Sequence, residues 1–351
     1  MKISVDCRML DASGVGVYLR GCLPHFLETR HDFLLVGDGR RLAEFAAKTN
    51  VSVFDCALKP FSAAETFFPP APLVRAVNET ALFYSPYFNV PARIGVPVYT
   101  TIHDIIFADM PELCSRAGLA ARMWFYRRAA RLSSKVFTVS RFSKSRIERH
   151  LGNRKPVIVA CSGIQDRYLR QSGRRADVKK YILFIGNIKK HKGLSCLAEA
   201  FRAARQAGLD YRLIVAGEKD NFRTSGYGEA EGFFHDEHIL FTGFVSDGEL
   251  QTLIDEAALL VQPSLYEGFG VPPLEALVSG TPALVSDIAV FREIYDGFPV
   301  SYFEAGNSAD LKEKLLGLLG GGVPRRVELA EALRQKYTFK KTAEAVLGEL
   351  R

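Results

Sequence analysis

Short apolar runs alternate with amphipathic stretches along most of this chain. The runs at residues 2–7, 32–37, 51–55, 81–84, 96–102, 135–139 and 156–160 are rich in β-branched and aromatic residues and are short enough for strands. Continuous apolar character means burial on both faces, the mark of a parallel sheet. Between them, residues 18–28 and 116–131 have helical spacing, and Ser140 or Ser143 caps a further helix. The alternation resumes with strands over 181–186, 211–217, 238–241, 259–262, 283–285 and 298–303. Helices are expected over 194–207, 249–256, 274–278, 290–294 and 308–319, the second of these capped by Ser246 or Asp247. Two such series predict an α/β protein with two doubly wound domains.

A polar, irregular stretch at 165–178 separates the series, which gives domains at 1–168 and 169–335 and a closing helical segment at 336–351. Residues 59–75 (KPFSAAETFFPPAPLVR) read as irregular, either packed on the first domain or touching a membrane surface. Residues 221–232 are polar and glycine-rich and read as a loop.

The densest chemical signal is residues 264–287, SLYEGFGVPPLEALVSGTPALVSD. Glu267 and Glu275 are eight positions apart, separated by Gly268, Phe269, Gly270, Val271 and Pro272-Pro273. Glycines let a backbone approach a ligand closely, and prolines suit the first turn of a helix. Free N–H groups there, with the positive end of the helix dipole, attract an anion. Both carboxylates can accept hydrogen bonds from hydroxyls of one molecule, so a nucleotide sugar fits. On these residues alone, an ordinary loop entering a helix fits as well.

Three weaker signals accompany it. Gly14 and Gly16 follow the first strand, but not as a full G-x-G-x-x-G, so a tight strand-to-helix turn explains them equally. His103 ends a strand, where α/β proteins bind ligands, although a hydrogen-bonded structural histidine is the commoner case. Asn187, Lys189, Lys190 and Lys192 lie in a strand-to-helix loop that is either a phosphate site or a solvated turn.

Taken together, E-x7-E with GFG, PPLEA and SGTP resembles the signature of retaining glycosyltransferases of the GT4 type, which have the GT-B fold. GNIKKHKG resembles that family's phosphate-clamp loop, with Asn187 and His191 where many relatives carry arginine. TIHDIIFADMPE resembles the HD-x6-PE segment of its mannosyltransferases. The resemblance implies two Rossmann-like domains with an interdomain cleft and a last helix that crosses back to the first domain. It implies that Lys192, Asn187, Gly14, Gly16, Gly268, Phe269, Gly270 and Val271 surround the donor diphosphate and sugar. It gives Glu275 the ribose, Phe244 and Val245 the base, and Glu267 and His103 the donor sugar, with His103, Glu267 and Lys192 as the catalytic set. The donor favoured is GDP-mannose, with UDP- and dTDP-sugars open, and the acceptor is a saccharide or polyprenyl-linked saccharide. No cofactor and no metal is implied. An epimerase of this fold and a non-catalytic nucleotide-sugar-binding scaffold are the alternatives.

Composition refines this picture only in places. With 351 residues, the chain suits two domains. Its net charge of +7 is uneven: residues 1–165 hold 22 Lys+Arg against 13 Asp+Glu, a balance of +9, and the rest balances at −2. A basic half suits an anionic lipid, a nucleic acid or a phosphorylated substrate, and no recognised nucleic-acid module is present. The basic, aromatic helix at 116–131 is either a membrane-surface helix or one packed on the sheet with a solvated basic face. Six scattered cysteines, no apolar leader and no run of membrane-spanning length point to a cytoplasmic protein, and the implied lipid-linked acceptor, with the basic N-terminal half, suits a peripheral place on the inner face of the membrane.

Overall fold

A computed structural model gives the placement of all residues except 13, 153–154, 171–176, 218–234 and 351. The chain divides into two compact units, Met1–Gly163 with Tyr337–Arg351 and Ile164–Lys336. The loop expected at 221–232 lies outside the described residues.

In the first unit, the described strands are β1 (Lys2–Asp6), β2 (Asp32–Gly37), β3 (Val51–Asp55), β4 (Leu82–Ser85), β5 (Val98–Thr101), β6 (Lys135–Thr138) and β7 (Val157–Val159). All pair in parallel, in the order β3-β2-β1-β4-β5-β6-β7. Ile3 lies between Phe33 and Leu82 in register, and this centre of the sheet is buried. The second unit has β8 (Lys179–Ile185), β9 (Arg212–Ala216), β10 (Ile239–Gly243), β11 (Ala257–Gln262), β12 (Ala283–Ser286) and β13 (Ser301–Phe303), in the parallel order β10-β9-β8-β11-β12-β13. Both are doubly wound, Rossmann-like sheets. Their strand order reverses direction at β1/β4 and at β8/β11, and the carboxyl ends of those strands are where such sheets bind ligands.

One expectation is corrected. Residues 59–75 are not irregular, because they form the helices Ala63–Phe67 and Ala71–Asn78. Ser62 caps the first by accepting from the Glu65 N–H at 3.2 Å. Pro72 falls in the first turn of the second, which buries Leu73 and Val77 four positions apart. Glu65 itself is buried beneath this segment: Arg8 Nη2 donates to its Oε1 at 2.5 Å and to Asp6 Oδ2 at 2.6 Å. Asn89 Nδ2 donates to Asp6 Oδ2 at 2.9 Å. One guanidinium thus joins β1 to the helix Ala63–Phe67, and pairing both carboxylates offsets the cost of burying them.

The closing helix Phe339–Leu347 packs on the helix Val15–Leu27 of the first unit. Phe339 lies so close to Gly21 that a Cβ there would sit 2.1 Å from its ring. Thr342 Oγ1 donates to the Cys161 carbonyl at 2.6 Å, and Tyr99 and Lys135 donate to the Glu349 carbonyl at 2.6 and 2.8 Å. Among the described residues, no helix is long and apolar enough to cross a membrane.

Candidate functional site

The strongest constellation lies in the second unit, on the loops that leave β8 and β11. These loops are tied together where the Leu265 N–H donates to the His191 carbonyl at 2.7 Å. Gly193 makes that approach possible: at φ +70°, a Cβ would stand 1.9 Å from the Pro263 carbonyl oxygen. The result brings Lys192 onto Glu267, 75 positions away in the chain, with Nζ 2.7 and 2.8 Å from the two carboxylate oxygens. Ser264 Oγ donates to Glu267 Oε1 at 2.7 Å, and Gln262 Nε2 donates to Ser264 Oγ at 3.0 Å. Ser264 is held in turn, because its carbonyl accepts from the Ser286 hydroxyl. Glu267 and Lys192 keep side-chain exposures of 10% and 22%, so the pair is reachable but largely desolvated. Neighbouring His191 has its pKa lowered to about 4, chiefly by burial and then by the charge of Lys192. At neutral pH it is an uncharged imidazole, so the loop's formal positive charge comes from its lysines.

The helix Val271–Val278 begins directly after this loop, three residues before the apolar run at 274–278. Gly270 caps it at φ +88°, with a Cβ position only 2.3 Å from the Phe291 ring. The Gly270 carbonyl accepts from the buried Tyr295 hydroxyl. Pro272 and Pro273 carry no N–H, so Val271 and Leu274 are the only donors among the first four helical positions. The dipole remains, but the N–H cradle is narrower than the sequence pattern suggests. Gly268 and Phe269 are buried beside it.

Glu275, in the second turn, is 6% exposed. Burial raises its pKa to about 7, opposed by the charge of Arg167 and assisted by that of Asp247. It is therefore poised between the carboxylic acid and the carboxylate near neutral pH, a state that can both donate to and accept from paired hydroxyls. Tyr168 and Arg167, from the helix Asp166–Arg170, are its electrostatic neighbours. Arg167 is ion-paired with Asp247, and its Nε is buried without a hydrogen-bond partner among the described residues. Sequence reasoning assigned neither residue a role, because the stretch 165–178 reads as a polar linker. Phe244 and Val245 follow β10. Phe244 is 81% exposed and Val245 partly buried, ahead of a capping box formed by Ser246 and Glu249. Asn187 is partly buried at the end of β8.

In the first unit, His103 follows β5. Its Nε2 lies 2.8 Å from the Pro86 carbonyl, which can only accept, so Nε2 carries the proton and Nδ1 the lone pair. Burial lowers its pKa to about 4, against the raising effect of that carbonyl. The Tyr18 ring meets the imidazole edge-on at 4.7 Å. Tyr18 is itself 3.1 Å from the Tyr84 hydroxyl, which lies 2.8 Å from Thr101 Oγ1. Asp104 Oδ1 accepts from the Ile106 N–H at 3.1 Å. Gly14 stands before the helix Val15–Leu27 at φ +74°, and the Gly16 N–H donates to the Ala12 carbonyl at 2.6 Å.

Residues 165–336 match the family model for glycosyl transferases group 1, nearly coincident with the second unit. The chain carries a group 1 glycosyltransferase domain. An uncharacterized glycosyltransferase of Methanocaldococcus jannaschii is 27% identical over 260 residues, covering 72% of this chain and 68% of that protein. O-antigen chain mannosyltransferase B of Escherichia coli is 29% identical over 231 residues, covering 61% of this chain and 58% of its own length. The chain thus spans somewhat over half of the latter relative. The crystal structure of Anabaena HepE in complex with UDP and glucose superposes with a TM-score of 0.72, at 20% identity, over 100% of this chain and 99% of that one. The group 1 glycosyltransferase domain and the first unit therefore share the paired Rossmann-like architecture of GT-B glycosyltransferases.

Proposed function

We propose that this chain is a retaining, metal-independent glycosyltransferase that moves mannose from GDP-mannose to a saccharide or polyprenyl-linked acceptor in bacterial surface polysaccharide synthesis. The observation that carries this reading is the Lys192–Glu267 pair, at the reversal point of a sheet that matches the group 1 family, on the loop that leads into the helix carrying the buried Glu275. In this reading, Lys192 meets the charge of the departing diphosphate, helped by the dipole and the Val271 N–H. Glu275 binds the ribose hydroxyls, Glu267 positions the donor sugar, and the Nδ1 lone pair of His103 accepts from a sugar hydroxyl. Phe244 and Val245 bind the base through their backbone, and Asn187, Gly14, Gly16, Gly268, Phe269 and Gly270 border the phosphates. Lys192 and Ser264 already engage the Glu267 oxygens, which suits positioning more than attack on an anomeric carbon. The acceptor oxygen then bonds to the anomeric carbon on the face from which the diphosphate leaves. The electron pair of the breaking bond goes to the diphosphate, which takes the acceptor's proton. Basic groups, not a cation, neutralise the leaving group, so transfer should survive EDTA. A lipid-linked acceptor places the chain peripherally on a cytoplasmic membrane face.

Mannosyltransferase relatives favour mannose. The UDP in the Anabaena structure keeps a uridine donor as the second reading. A thermal-shift panel of GDP, UDP, dTDP and ADP with their sugar conjugates, on wild type and Glu275→Ala, separates them, because a ligand of the folded state raises its stability. A shift with GDP and GDP-mannose alone, lost in the variant, is the expected result. A uridine- or thymidine-selective shift overturns the GDP-mannose assignment. Binding without turnover on any acceptor leaves a scaffold.

A further inference from the structure

Three exposed aromatic side chains adjoin one another in the first unit, and the mechanism above does not use them. Phe67, Phe68 and Trp124 are 53%, 73% and 43% exposed. They adjoin one another, with ring centroids 6.3 Å apart for Phe67–Phe68 and 6.1 Å for Phe67–Trp124. Two come from the helix Ala63–Phe67 and its end, and one from the helix Arg116–Leu132. Arg128 fastens the two helices by donating to the Thr66 carbonyl at 3.2 Å and to that of Val90, with its guanidinium 5.9 Å above the Trp124 ring. Beneath them, the Arg8–Glu65 pair fixes the shorter helix to the sheet. The aromatics are thus held outward on anchored helices.

The two segments that carry them expose one sign of charge. Between residues 63 and 74 the single charged residue is Glu65, and it is buried. From 113 to 147 the chain has no acidic residue. Arg127 and Arg131 are exposed in the same helical row as Trp124, at i+3 and i+7. A contiguous apolar patch rimmed by cations is unfavourable left in water. It complements a surface that is apolar below and anionic above: aromatics suit the interface between headgroups and acyl chains, and arginines suit acidic headgroups.

We infer that Phe67, Phe68 and Trp124, with Arg127 and Arg131, dock the first unit on an anionic lipid bilayer. This deepens the proposed function and rests on its lipid-linked acceptor; the surface named here includes residues 63–68, beyond the basic helix alone. The test is co-sedimentation with vesicles of phosphatidylcholine, and of phosphatidylcholine mixed with phosphatidylglycerol. The proteins are wild type, Phe67→Ser/Phe68→Ser and Arg127→Glu/Arg131→Glu. Wild type should pellet with the anionic vesicles and be released by high salt. Each double variant should bind about tenfold or more weakly, with an unchanged melting temperature. Failure of wild type to pellet overturns the inference, as does equal binding to both vesicles that neither variant weakens. A self-associated form abolished by Phe67→Ser/Phe68→Ser would show that the patch pairs copies of the chain, and would also overturn it. The nucleotide thermal shift, measured on the same proteins, reports the second unit: a retained shift without vesicle binding removes only the docking surface, and loss of both removes the transferase reading too.

Discussion

Replacing Glu275 with glutamine tests the most unusual group in the second unit. The folded carboxyl has its pKa raised to about 7 by burial, against an ordinary value of 4.5. A carboxyl raised in the folded state contributes stability that is fully present below pH 4.5 and is lost as pH rises through 7. At 1.36 kcal/mol per unit, the loss over this window is about 3 kcal/mol. Glutamine keeps the shape of the neutral acid and does not titrate, so the stability of Glu275→Gln relative to wild type should climb by about 3 kcal/mol between pH 4.5 and 7.5. For a unit of this size, that is about 6–12 °C in melting temperature. His191, in the same unit, works in the opposite sense: its pKa falls from 6.5 to about 4, so its contribution is lost as pH falls through that window. The two nearly offset one another in wild type, and the variant should expose the histidine slope. Calorimetric melts of both proteins at pH 4.5, 6 and 7.5, with the transition of the second unit followed separately, make the measurement. A difference that stays constant with pH, or falls, would show that Glu275 is ionised in the folded protein and would refute the burial argument.

Two further substitutions probe the pair and the closing helix. Lys192→Ala should lower turnover about 10²–10³-fold, the scale for loss of one preorganised charge-stabilising group, and should also lower the melting temperature of the second unit, because the largely desolvated Glu267 loses its cation; turnover within a few-fold of wild type would remove Lys192 from the catalytic set. Phe339→Ala should cost the first unit about 3–5 kcal/mol, seen as a lower first-unit transition in calorimetry, with nucleotide shifts of the second unit preserved. Coincident destabilisation of both transitions would contradict an anchoring role confined to the first unit.

Most of the architecture is legible because parallel strands are buried on both faces and announce themselves as apolar runs. Caps are local as well, and Ser140 and Ser246 both accept from the N–H three residues on, as their positions imply. The helices at 63–78 were hidden by their prolines, which mark breaks in a pattern yet fit first turns, and by Glu65, whose burial depends on Arg8 57 positions away. The carboxylates 267 and 275 stand out by spacing, but the pairing of Glu267 with Lys192 does not, since 75 residues separate them. The role of Arg167 beside Glu275 was invisible for the same reason. Distance along the chain hides partners, and the fold alone restores them.

The return of residues 337–351 to the first unit has a consequence for how the molecule is made. Synthesis runs from the first residue onward, and domains generally fold as they emerge. Here residues 1–163 of the first unit are made before residues 164–336, but its helix Phe339–Leu347 only after them. Until then Gly21 and the Val15–Leu27 helix lack the ring that covers them. The second unit, continuous in sequence, has all of its described strands beforehand. The order of completion is therefore the reverse of the order of synthesis, and a nascent chain stalled before residue 337 would present a finished second unit tethered to an unfinished first one.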